Sequence, residues 1–119
     1  MSILELSDVN YINFIKETES VVFIDFYSPT CGLCQTLLTF LPKLQEHYQD
    51  EAIVIAKVNI TKNPKLAKKF MVQSVPFSVV IGKDKMVKRA EVGLLNIDAY
   101  IKMIDKAFGK GGILSKLFG

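Results

Sequence analysis

The spacing of apolar residues changes several times along this chain, and each change marks an element. Residues 2–6 (SILEL) alternate as a strand would, and Ser7 stands as an N-cap before a helical run with Tyr11, Ile12 and Ile15 on one side. Residues 21–27 (VVFIDFY) are apolar on both faces apart from Asp25, the pattern of a central strand covered above and below. From Cys31 to about residue 49, Leu37, Leu38, Leu41, Leu44 and Tyr48 line one face of a long helix, which Pro42 is expected to kink by removing a hydrogen bond. Residues 52–58 (AIVIAKV) make another buried strand. Asn63 is then an N-cap with Pro64 at the first helical position, opening a short helix to about Phe70. Residues 77–81 and 86–92 read as strands joined by a hairpin at Gly82, Lys83, Asp84 and Lys85. Asn96 caps a last helix that runs to about Phe108, where Gly109 stops it.

The predicted order is strand, helix, strand, helix, strand, helix, strand, strand, helix. Early strands need crossovers whereas the last pair needs only a turn, so an α/β fold follows, a mixed sheet with helices on both faces. The 119 residues suit one domain, and a composition 50% apolar and 23% charged supplies a core without staples. Fifteen basic residues against twelve acidic leave a net charge of +3, too weak a field to argue for nucleic acid. No stretch approaches the roughly 18 consecutive apolar residues of a membrane-spanning helix. The first ten residues carry Glu5 and Asp8 and lack a basic start before a long apolar run, so no secretory signal is visible and a cytoplasmic location is expected.

Cys31 and Cys34 are the only cysteines, and a bridge between them closes a loop too small to add much stability. They stand where a buried strand, after the loop Ser28-Pro29-Thr30, meets the start of the long helix. Unpaired backbone N–H groups at a helix N-terminus stabilise a thiolate, so Cys31 is the better nucleophile. Cys34, about one turn further in, faces the interior and stays protonated until a mixed disulfide forms, then attacks the Cys31 sulfur to release the target. Half of a zinc site is the other reading, but it needs four ligands and the only histidine, His47, lies well along the helix. No metal within one copy is expected; a metal or cluster bridging two copies is the remaining alternative. No GxGxxG loop is present, so no nucleotide cofactor is expected and electrons must arrive by disulfide exchange.

Asp25 lies in the most apolar strand, where an unpaired carboxylate would cost on the order of several kcal/mol. Lys57 stands near the end of the next apolar strand, and a parallel neighbour would bring its ammonium towards Asp25. One reading is a carboxyl of raised pKa that accepts the Cys34 proton through water. The other is a buried polar pair that fixes strand register.

The combination Asp25-Phe26-Tyr27, Cys31-Gly32-Leu33-Cys34, Lys57-Val58-Asn59-Ile60, Asn63-Pro64, Val75-Pro76 and Val92-Gly93 resembles the thioredoxin family in order and spacing, over about residues 2–108. The resemblance implies a thioredoxin fold, a five-stranded mixed sheet flanked by four helices, over residues 1–108. It implies that Cys31 attacks, Cys34 resolves, Asp25 is the buried acid and Lys57 its partner. Pro76 matches the family's cis-proline, which sets the Val75 backbone beside the disulfide to pair with an extended substrate segment, and Gly93 would leave room for that segment. Independently, a proline opening an interior strand needs a special reason, and a cis bond is one. The implied partners are disulfide-containing proteins and a separate thioredoxin-reductase-like donor, with the protein itself a monomer.

This chain departs from the family around the disulfide. Thr30 and Tyr27 stand where tryptophans are usual, which leaves Thr30 on the substrate side of the motif. Leu33 and Gln35 replace the usual proline and lysine, Pro29 is unusual in its loop, and Pro42 falls three residues later than the familiar helix proline. Gly32 and Leu33 are therefore candidates for redox tuning. With Cys31 at the N-cap, Leu33 is the second helical residue and supplies an N–H to the sulfur that proline would lack, which predicts a more oxidising couple. Residues 109–119 read as a flexible glycine-rich tail with a short apolar segment, too short to hold a helix alone in water. Lys62, Lys65, Lys68 and Lys69 read as a solvated face. The expected function is a protein disulfide reductase. Its rivals are a more oxidising thiol oxidoreductase or dedicated donor to one enzyme, and a partner-binding module in which the dithiol is secondary.

Overall fold

In the computed structural model, which describes residues 3–109, the chain runs β1 (Leu4–Glu5), α1 (Tyr11–Glu17), β2 (Val21–Tyr27), α2 (Gly32–His47), β3 (Ile53–Asn59), α3 (Pro64–Lys69), β4 (Phe77–Ile81), β5 (Val87–Val92) and α4 (Ile97–Ala107). The strands pair in the order β1-β3-β2-β4-β5. The contacts of β3 with β1 and β2 are parallel, and β4 and β5 join antiparallel through the predicted hairpin. Alternation along β2 divides the core. Val22, Ile24 and Phe26 pack with Tyr11 and Leu66 under α1 and α3, while Val21 and Phe23 pack with Leu37, Leu41 and Leu44 of α2 and Tyr100 and Ile104 of α4. Asp25 falls on the second face by the same period.

Several boundaries differ from the predicted ones for local reasons. α1 starts at Tyr11 rather than after Ser7, and Asn10 holds the N-cap position. Ser7 instead organises the turn before it: its Oγ accepts from the amides of Val9 and Asn10 at 3.3 and 3.2 Å, and Asn10 Oδ1 accepts from the Ser7 amide at 2.8 Å. Tyr11 is buried, but Ile12 is exposed, so it does not share the core face. α2 runs unbroken through Pro42, which sits on its exposed side, and ends at His47.

Asn63 takes the cap position of α3 without capping it. Its Nδ2 donates to the Asn59 carbonyl at 2.9 Å and its Oδ1 accepts from the Asp8 amide at 2.9 Å. The helix amides of Lys65 and Leu66 donate instead to the Asp8 carboxylate, at 3.2 and 2.8 Å. The last helix begins as predicted, with Asn96 Oδ1 accepting from the Ala99 amide at 2.9 Å. Gly109 ends that helix in the left-handed region at φ +79°. The remainder of the predicted tail, 110–119, lies outside the described residues. No helix among the described residues is long and apolar enough to cross a membrane.

Candidate active site

The loop leaving β2 turns at Ser28–Cys31, where the Cys31 amide donates to the Ser28 carbonyl at 3.1 Å. Cys31 stays extended at φ −89°, ψ 116°, and α2 begins at the next residue, so Cys31 is its N-cap. Its Sγ accepts from the Cys34 amide at 3.1 Å. A sulfur so held faces the positive end of a helix and an aimed N–H, both of which favour thiolate over thiol. Cys31 and Cys34 are joined as a disulfide with Cα atoms 5.2 Å apart. Cys31 is partly exposed and Cys34 fully buried. The capping donor corrects the expectation for Leu33: it is the Cys34 amide, one residue further into the helix. Leu33 presents its side chain to solvent, 57% exposed, and Gly32 lies in open space.

The Val75–Pro76 bond is cis, and the Val75 carbonyl oxygen lies 3.8 Å from Cys31 Sγ. A disulfide sulfur has no proton, so this is a packing contact between the loop and the disulfide. Pro76 is buried and its carbonyl accepts from the Gly93 amide at 2.8 Å, which ties the loop before β4 to the end of β5. Gly93 stands at φ +89°, and a Cβ there would meet no neighbour within 4 Å. Backbone conformation, not crowding within the protein, accounts for this glycine. Thr30 is exposed, its Oγ1 3.2 Å from Ser28 Oγ.

Asp25 is fully buried and neither carboxylate oxygen has a hydrogen-bond partner. Burial pushes its pKa up to about 7, against the opposing pull of the Lys57 charge. Asp25 and Lys57 are register partners, but the direct pair predicted for them does not form. Lys57 Nζ lies 3.8 Å from Glu5 Oε1 and 5.8 Å from the centre of the Tyr27 ring. Tyr27 Oη donates to Glu5 Oε2 at 3.2 Å. Burial, and then the Glu5 charge, push the Tyr27 phenol up to about 12. Glu5 is the β1 register partner of Lys57 and remains half exposed, so the ammonium pairs there without the desolvation that a bridge to Asp25 would require.

Ser78 is the buried group that the pattern of the sequence did not single out. It is the register partner of Asp25 across the β2–β4 pairing, fully buried, with an unpartnered Oγ. Its signal was a hydroxyl inside the apolar run FSVVI, a place where an unpaired polar group is costly. Among the described residues, no three His, Cys, Asp or Glu side chains converge as metal ligands.

Most of the described chain is similar to known proteins. The thioredoxin family model matches residues 2–106. A thioredoxin of Chlorobaculum thiosulfatiphilum is 32% identical over 105 residues, which covers 88% of this chain and 95% of that one. Thioredoxin 2 of Chlorobaculum tepidum is 31% identical over 88% of this chain and 94% of its own length. Among solved structures, oxidised mitochondrial thioredoxin 3 of Saccharomyces cerevisiae superposes with a TM-score of 0.75 at 30% identity, covering 87% of this chain and 94% of that one. This chain therefore belongs to the thioredoxin family, as a thiol-disulfide oxidoreductase that reduces disulfides by dithiol exchange through its cysteine pair.

Proposed function

We propose that Cys31 is the attacking and Cys34 the resolving thiol, with Asp25 the proton acceptor for Cys34. The Cys31 thiolate attacks one sulfur of a target disulfide, that bond breaks, and the departing sulfur takes up a proton. Cys34 then gives its proton through water to Asp25 and attacks Cys31 Sγ. The mixed disulfide breaks, the target leaves as a dithiol, and its two electrons have come from the Cys31–Cys34 pair. The asymmetry of the pair carries this reading, because one sulfur is reachable and capped by an amide while the other is fully buried. Lys57 acts on Asp25 as a nearby charge rather than as a bonded partner.

The substrate segment runs past Thr30 and along the Val75, Pro76 and Gly93 backbone, beside the sulfur it must reach. The pair is reduced again by a separate reductase that meets the same face, and the protein works as a cytosolic monomer on disulfide-containing proteins. Insulin reduction and mass spectrometry of trapped adducts test the roles. Cys31→Ser should abolish exchange, whereas Cys34→Ser should accumulate mixed disulfides on Cys31. Faster alkylation of Cys34 than of Cys31 in the reduced protein at neutral pH would reverse the assignment.

A further inference from the structure

Two buried polar side chains face one another without a bond. Asp25 and Ser78 are direct register partners across antiparallel β2 and β4, both fully buried, and Oδ1, Oδ2 and Oγ are all unpartnered. Directly opposed residues have Cβ atoms about 4.5 to 5.5 Å apart on the same face of the sheet, within reach of a hydroxyl–carboxylate hydrogen bond. Ser78 Oγ is itself shut off from solvent, so the hydroxyl has no recourse to water.

Tyr100 of α4 is the third polar group on this face, and its hydroxyl is already engaged. It donates to the Gly93 carbonyl at 3.3 Å and accepts from the Leu95 amide at 3.0 Å. Its proton is thus unavailable to Asp25. The other ionisable groups that interact with the carboxyl are Lys57 from β3, Tyr27 on its own strand and the Tyr100 phenol of α4. Glu91 of β5, the other register partner of Ser78, acts on Tyr100 and is paired with Arg89, while α2 offers the interior Cys34, Leu37, Leu41 and Leu44, none of which titrates in the disulfide form. Burial pushes the Tyr100 phenol up, and the Leu95 amide and the nearby Ser78 hydroxyl, which does not reach hydrogen-bond geometry, oppose that rise.

We propose that Ser78 is a positioning residue of the exchange site, a hydroxyl that turns to donate to Asp25 whenever that carboxyl is ionised. A change of χ1 between staggered wells is the only motion required. With Asp25 ionised, a charge-assisted bond to the carboxylate outcompetes a neutral one to the Tyr100 oxygen. With Asp25 protonated, the carboxyl becomes the donor, Ser78 Oγ accepts, and the serine O–H, keeping its proton, turns to donate a hydrogen bond to the Tyr100 oxygen, whose hydroxyl is bonded to the Gly93 and Leu95 loop. Ser78 therefore eases ionisation of the buried acid and links its protonation to the loop that lines the substrate edge.

The inference rests on Asp25 being the proton acceptor for Cys34, yet it is tested without turnover. NMR titration of the Asp25 carboxyl in the disulfide form, where neither cysteine titrates, should show its midpoint raised in Ser78→Ala by about one pH unit or more, a tenfold change in its protonation constant. Ser78→Thr, which keeps the hydroxyl, should hold the midpoint near that of the wild type. A smaller displacement in Ser78→Ala, or an equal one in Ser78→Thr, overturns the proposal. In the wild-type protein, solvent exchange of the Ser78 hydroxyl proton should slow as Asp25 ionises, and exchange indifferent to that titration overturns it whatever the variants do. Failure of the proton-acceptor role itself would show separately, as unaltered resolution kinetics in Asp25→Asn.

Discussion

Asp8 is partly and Asp25 fully buried, and the structure treats the two carboxylates in opposite ways. Asp8, in the turn before α1, receives the Lys65 and Leu66 amides at the start of α3, and its own amide donates to Asn63. Its oxygens satisfy helix donors that would otherwise lack partners, so the group stabilises the fold. Asp25, at the centre of the sheet, has no bonded partner, and the nearby ammonium pairs with Glu5. The partnered carboxylate belongs to the architecture, and the isolated one retains a pKa suited to moving a proton near neutrality. A carboxyl kept ready for proton transfer costs stability, so the two residues should separate cleanly under mutation and pH.

Asp25→Asn is expected to give the largest effect. Removing a general base typically costs on the order of a hundredfold or more, and for a base acting through water we expect at least about a tenfold slower resolution of the mixed disulfide, read by stopped-flow release of the target thiol. The same substitution should remove a pH dependence of stability. The folded pKa near 7 lies above the unfolded value, about 4, so between them the folded state holds a proton that the unfolded chain has released. The stabilising contribution of the protonated carboxyl is complete below about pH 4, declines as pH rises and is lost above 7. Across that window wild-type stability should fall by a few kcal/mol relative to Asp25→Asn, measured by urea denaturation at each pH. Parallel stability profiles for the two proteins would contradict the isolation of this carboxyl.

How far each region could be read from the sequence follows the distance over which its contacts act. Cys31 and its cap lie within three residues of each other, and the periods of β2, α2 and α4 are local, so the helix-capping cysteine and most elements were legible. Even there, an N-cap sulfur can accept from the second or the third helical amide, and spacing alone does not distinguish Leu33 from Cys34. Asn63 holds the N-cap position that the sequence predicts, but the helix amides are capped by Asp8, more than fifty residues away, which no local pattern points to. Lys57 had two carboxylates in register, Asp25 on β2 and Glu5 on β1, and only the folded sheet reveals that the exposed one wins. Ser78 gains its meaning from β4 pairing with β2, a register that no local pattern encodes.

Asp8→Ala tests the architectural side of the comparison. It leaves the Lys65 and Leu66 amides without their acceptor, and loss of a side-chain helix cap costs roughly 0.5 to 2 kcal/mol. The loss should appear as a lower urea midpoint with an unchanged slope, and the Asp25 titration should stay where it was, since Asp8 acts on α3 across the sheet from α2 and α4. A displaced Asp25 midpoint in Asp8→Ala would mean that the two carboxylates are not independent.

The opposite end of α3 offers a smaller change of opposite sign. The Val72 amide donates to the Ala67 carbonyl at 2.9 Å and the Met71 amide to the Lys68 carbonyl at 3.0 Å, the paired bonds of a Schellman ending, with Val72 packed against the same core as Leu66. That ending requires a left-handed residue, and Met71 supplies it at φ +57° with its side chain 78% exposed. A side chain in this conformation clashes with the following carbonyl, a cost on the order of 1 kcal/mol that glycine avoids. Met71→Gly loses little burial, but it enlarges the freedom of the unfolded chain, which offsets part of the relief. The net expectation is a stabilisation of roughly 0.5 kcal/mol, seen as a slightly higher urea midpoint. A Met71→Gly protein less stable than the wild type would show that the exposed methionine makes contacts that outweigh its backbone strain.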